Sequence, residues 1–146
     1  MSLRETISAK IVTVLSAVQT PQILLVTREP FEADKLAITQ FPAVLVHLDL
    51  EERETISMGA VGVGRRAGTL IYQLSGYVRG TDLDTKRTEL LTGIENALEK
   101  DRYLGLQASG VIDSQVTRIE VVRRLAPLAE FSLTLQVKYN YLRGAK

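Results

Sequence analysis

Between Phe131 and Tyr141, apolar and polar residues alternate without a break. Phe131, Leu133, Leu135, Val137, Tyr139 and Tyr141 fall on one face of an extended chain, and Ser132, Thr134, Gln136, Lys138 and Asn140 on the other. Successive strand side chains point to opposite faces, so this period predicts a long strand with one dry face. At about 1.5–3 kcal/mol for each buried side chain, that face is a main contributor to the core. A chain organised around one such strand, and poor in catalytic residue types, reads as a building part rather than an enzyme.

The other elements follow from their own periods. Ser2 and Glu5 have the spacing of a capping box. Leu3, Ile7, Ile11, Val14, Leu15 and Val18 then form one helical stripe, which Thr20-Pro21 ends. Ile23 to Thr27 is β-rich, and a short helix is expected around Ala33 to Ile38. A strand follows from Ala43 to about Glu54, with Val44, Val46, Leu48 and Leu50 on one face. Gly59, Gly62, Gly64 and Gly68 predict a loop or an extended hairpin tip between Ile56 and Gly68.

A strand from Thr69 to Arg79 carries Leu70, Tyr72, Leu74 and Val78 on one side, with Gly76 marking a bulge. Thr81 to Lys100 predicts a second helix, capped by Asp82 and Asp84, with Leu83, Leu90, Leu91, Ile94, Ala97 and Leu98 facing the core. Gln115 to Arg124 and Glu130 to Tyr141, joined through Leu125-Ala126-Pro127, predict an antiparallel hairpin. The order implies one α+β domain over residues 1–146: an antiparallel-rich β-sheet, helices packed on one face and a long C-terminal β-hairpin.

Composition narrows the chemistry. With 146 residues the chain can bury a full core. Eighteen basic against seventeen acidic residues is too balanced for a dedicated nucleic-acid binder. The absence of cysteine removes disulfides, thiolate catalysis and Cys-based zinc sites. No apolar run reaches the roughly 18 residues of a membrane span, and Met-Ser-Leu-Arg-Glu-Thr lacks a signal-peptide layout, so no membrane role and synthesis in the cytoplasm are expected.

Candidate sites have simpler readings. Gly62 to Gly68 imitates a dinucleotide fingerprint, but its third glycine comes one residue late and the segment leads into a strand. His47 is the only histidine and has no partner for metal binding or for a serine nucleophile. Asp82, Asp84 and Glu89 lack calcium-loop spacing. No catalytic, cofactor-binding or metal site is therefore expected. Glu51-Glu52-Arg53-Glu54 reads as a solvated strand end, or as an acidic surface that repels DNA or meets a basic partner. Arg65-Arg66 and Arg123-Arg124 are short basic pairs suited to phosphate or to polar interface contacts.

The segment Thr88 to Leu106 resembles the helix-to-turn segment of bacteriophage tail terminators, also called tail-completion or tail-to-head joining proteins. The family's A-L-x-x-D-x-x-L-G signature is matched by Ala97, Leu98, Asp101, Leu104 and Gly105, and its terminal strand by Leu133, Leu135, Val137 and Tyr139. Phe41-Pro42-Ala43 before a strand and Tyr77-Val78-Arg79-Gly80 before the helix also fit. One departure is Leu106, where members often carry a second glycine.

The resemblance implies a virion protein of the tail or neck that forms a homo-oligomeric ring of six subunits. Such a ring stacks on the last ring of tail tube protein, stops elongation and meets the head-side connector protein. In contractile tails it also touches the tail sheath. DNA passes through the lumen without sequence-specific recognition. The Gly59–Gly68 loop is expected to reach a neighbouring subunit or the tube, with Arg65 and Arg66 as polar contacts and Glu51, Glu52 and Glu54 on the same interface. Alternatives are another head–tail connector or tube protein, or a small α+β ligand-binding module.

Overall fold

The computed structural model describes residues 2–55 and 65–142. Helix α1 (Leu3–Ser16) starts where Ser2 Oγ accepts the Glu5 amide at 3.2 Å. The reciprocal half of the box is not made, because the Glu5 carboxylate turns outward to take both Arg28 donors at 2.6 and 3.0 Å. A three-residue strand β1 (Leu25–Thr27) follows. In place of one short helix come two separate 3-10 turns, Ala33–Lys35 and Ile38–Gln40. Strands β2 (Ala43–Thr55) and β3 (Arg65–Arg79), helix α2 (Leu83–Glu99), and strands β4 (Val111–Val122) and β5 (Leu128–Leu142) complete the order.

The sheet order is β1-β2-β3-β5-β4, with β1 parallel to β2 and every other pair antiparallel. This is an α+β fold on a mixed five-stranded sheet. Two strands are longer than their periods suggest. β3 begins at Arg65, so of the two readings for this segment the stretch from Arg65 to Gly68 takes the extended one; β4 begins at Val111. Both follow β5, whose unbroken register with β3 runs from Arg65 opposite Leu142 to Arg79 opposite Leu128. The glycines from Gly59 to Gly64 lie outside the described residues.

Two glycines within β3 have a packing role. Gly76 lies opposite Phe131 and Gly68 opposite Tyr139. A β-carbon at either would overlap the facing ring, so the missing side chains are the space that the two aromatics occupy. The register at Gly76 is continuous, so the expected bulge is not there. The bulge sits instead in β2, between Leu48 and Leu50. One extra residue reverses the alternation beyond it: Leu50 is exposed, while Glu51 turns toward the helices.

Both helices cover one face. Ile7, Ile11 and Leu15 of α1 and Leu90, Ile94 and Leu98 of α2 pack on Val44, Val46, Leu70, Tyr72, Leu74 and the dry face of β5. The buried Ser8 and Tyr72 hydroxyls share a hydrogen bond of 2.7 Å, pinning α1 over the central strand. Asp82 does not cap α2: it takes a left-handed backbone at φ 52° without a side-chain cap bond, and Asp84 instead pairs with Arg87 at 2.7 Å.

A second, smaller cluster joins Ala33, Phe41, Ala43, Tyr77 and Leu128, with Phe31 set edge-on to Tyr77 at 5.3 Å. Here the β1–β2 connection folds over the hairpin end of the other sheet face. Further along that face, Gln73 Oε1 accepts from Ser132 and Thr134 at 3.0 and 3.2 Å.

Candidate subunit interface

The five residues expected at an interface meet at one end of the sheet, the end away from the β4–β5 turn. Register places Thr55 beside Arg66, Glu54 beside Ala67 and Glu52 beside Thr69. On the other side of β3, Arg65 and Arg66 pair with Leu142 and Tyr141. Glu51 differs from the solvated reading of its segment. Its side chain is only 18% exposed and is held by Arg4 Nε at 2.8 Å, by Arg53 at 3.2 Å and by the Tyr139 hydroxyl. Arg53 also lies 5.4 Å over the Tyr141 ring, and Tyr141 leans on Tyr139.

This cluster ties α1, β2 and β5 together through charge. Partial burial opposes ionisation of Glu51, but hydrogen bonds from Tyr139 and Arg4 and the nearby guanidinium charges outweigh it and hold the carboxyl below its usual range. The same contacts act oppositely on Tyr139: burial, the bond to Glu51 and the carboxylate charge push its phenol up to about 12. Glu51 is thus engaged within its own chain, whereas Glu52 is exposed and borders an open groove of about 510 Å³ with Thr69, Ile112, Gln136 and Lys138.

The signature residues explain themselves locally. Asp101 accepts the Tyr103 and Gly105 amides at 2.9 and 2.8 Å, holding a turn in which Leu104 and Gly105 both take positive φ. Leu104 is buried, and Leu106, the residue that departs from the family pattern, packs against the same core. The motif therefore fixes the exit of α2 into β4. His47 is exposed, and among the described residues no three His, Cys, Asp or Glu side chains gather to hold a metal ion.

Sequence reasoning missed the edges. At the hairpin end Leu125 is 90% exposed and Val121 60%, with Ile119 also exposed, on the β4 side of the sheet. On the β1 side Ile38 is 71% exposed and Leu24 52%. The period identifies these residues as apolar, but their exposure depends on what the helices leave uncovered.

The fold defines an α+β protein with a helix-covered mixed sheet. Its sequence matches no family model and no curated protein. Its fold is similar to that of a chain in the virion of a native gene transfer agent particle, with a TM-score of 0.51 at 11% identity. The match covers 92% of this chain and 94% of that one.

Proposed function

We propose that the chain is a structural component of a phage or phage-derived virion, and within it a ring-forming tail terminator. The observation that carries the reading is the fold likeness to a virion chain over nearly the whole of both molecules. The Ala97-to-Gly105 signature supports the narrower role, since each of its polar and glycine positions serves the same helix-to-strand turn. In this reading the protein is not an enzyme and needs no cofactor. Its partners are further copies of itself, the tail tube, the head-side connector and, in a contractile particle, the sheath. DNA crosses the lumen unread.

The test is the mass and negative-stain image of the purified chain, followed by its addition to growing tail tubes. A hexameric ring at six times 16.2 kDa that fixes tube length is the expected result. Long self-assembled tubes would move the role to a tube protein. Tubes that elongate unchanged in its presence would refute termination.

A further inference from the structure

The two helices run antiparallel and touch at two places. Near the end of α1, Val18 and the Thr20 carbonyl meet α2 at Gly93, where a β-carbon would come within 2.8 Å of that carbonyl. At the exit of α2, half-buried Lys10 lies along Gly105. Between these contacts the helix layer opens into a groove of about 680 Å³. Val14, Ala17 and Val18 form the wall from α1 and its exit, and Ala97 and Leu104 the wall from α2 and its exit. Eight residues separate Lys10 from Val18, about 12 Å of helical rise. The charged groups of the groove are Lys10 on one wall and Lys100 and Asp101 on the other. Asp101 is engaged by the Tyr103 and Gly105 amides, one on each oxygen. Among the described residues neither lysine has an ion-pair partner.

We infer that this groove is a docking site for an acidic amphipathic helix of a partner protein, one with an apolar stripe and carboxylates on both flanks. The helical form follows from backbone hydrogen bonding. The backbone groups of both walls are bonded within their own helices, so an extended segment seated here would bury amides and carbonyls with nothing to meet them. A helix satisfies its own, and apolar residues at i, i+3 or i+4 and i+7 match a groove about 12 Å long. Charge sets the sign of the flanks: Lys10 and Lys100 stand on opposite walls without partners, while the one carboxylate is taken up by its own turn. The small side chains of Ala17 and Ala97 keep the groove open, and a longer one at position 97 would fill it. The Ala97-to-Gly105 segment thus has two uses: Asp101 and Gly105 set the turn, and Ala97 and Leu104 present the wall. The docking site stands whether or not the chain forms a ring.

The test is the fluorescence anisotropy of a labelled leucine–glutamate–alanine peptide of about 14 residues, roughly four turns of helix, titrated with the full chain. Leucines occupy one stripe of the peptide and glutamates its two flanks. A second peptide carries lysine in place of every glutamate, and a third a central proline. The glutamate peptide is expected to bind about ten-fold more tightly than either. Lys10→Glu/Lys100→Glu should reverse the charge preference, a gain of lysine-peptide binding that a damaged fold would not produce. Ala97→Met, which fills the groove, should weaken the glutamate peptide about ten-fold with an unchanged circular dichroism spectrum. No binding of the glutamate peptide, equal binding of the glutamate and lysine peptides, or a preference that the double variant leaves unchanged overturns the site. Proline-peptide binding as tight as that of its parent overturns the helical occupant. Self-association of the wild-type chain that the double variant abolishes gives the groove to a second copy and overturns the partner.

Discussion

Removing the Tyr139 hydroxyl isolates the contribution of the polar cluster at the far end of the sheet. Tyr139→Phe keeps the ring that fills the space beside Gly68 and deletes only the donor to Glu51. A hydrogen bond to a charged group contributes about 1.5–3 kcal/mol. Glu51 keeps Arg4 and Arg53 and is still reached by water, so the loss belongs at the low end, about 1–2 kcal/mol. For a chain of this size that lowers Tm by roughly 2–8 °C.

The pH dependence identifies the source. Glu51 has a folded pKa below its ordinary value of 4.5, so its contribution is full above that value and fades as pH falls through the folded pKa. The difference between wild type and variant should therefore narrow in acid. Tyr139 has a folded pKa raised from 10.0 to about 12, so its contribution is full below 10 and is lost between the two values. Thermal melts followed by circular dichroism from pH 3 to 11 give both arms. A variant whose Tm matches wild type at neutral pH, or whose deficit is the same at pH 3, would refute the assignment.

Three further perturbations test the sheet and the surface. Gly76→Ala should destabilise the fold by about 1–3 kcal/mol, because the new methyl meets the buried Phe131 ring; Gly76→Ala combined with Phe131→Leu should recover part of that in a urea titration. Asp101→Ala removes the acceptor for two backbone amides and should cost about 1–2 kcal/mol, with faster amide exchange at Tyr103 and Gly105 as the local readout. On the proposed terminator reading, replacing Arg65 and Arg66 by glutamate should abolish tail joining while leaving the melting curve unchanged, and wild-type joining would take both residues off the interface.

What the sequence made legible was whatever depends on local period. The dry face of β5 and the stripes of α1 and α2 became the core because one helix-covered sheet face buries all three. The bulge in β2 left no mark, since Leu48, Asp49 and Leu50 continue the alternation without a glycine. Its consequence, Glu51 turned inward, depends on Arg4 and Tyr139, which lie 47 and 88 residues away in sequence. β4 starts four residues before the expected Gln115 and ends two before Arg124 for a related reason: its two bulges break the period of Val111, Val116, Ile119 and Val121, which share one face. An isolated strand glycine such as Gly76 permits a bulge as readily as close approach of a ring, and only the partner strand, with Phe131 opposite, decides.

In the ring proposed above, one small domain would hold its neighbours and a stacking partner at once. On β5 the row of Phe131 and the row of Tyr141 are ten residues apart, about 33 Å of strand. Exposed Val121 stands at the first row, Arg66 at the second and Arg65 one residue beyond it, while Glu52 lies level with Lys138, three residues short of the second. Interactions separated by more than about 10 Å with no shared partners add independently. Substitutions at Val121 and Leu125 should therefore leave the Glu51–Tyr139 melt signature unaltered. On the proposed ring reading, changes at Arg65 and Arg66 should leave the ring mass intact and act on what stacks above or below it. In the proposed ring such a separation would let contacts between neighbours and contacts with a stacking partner form without competing for one patch.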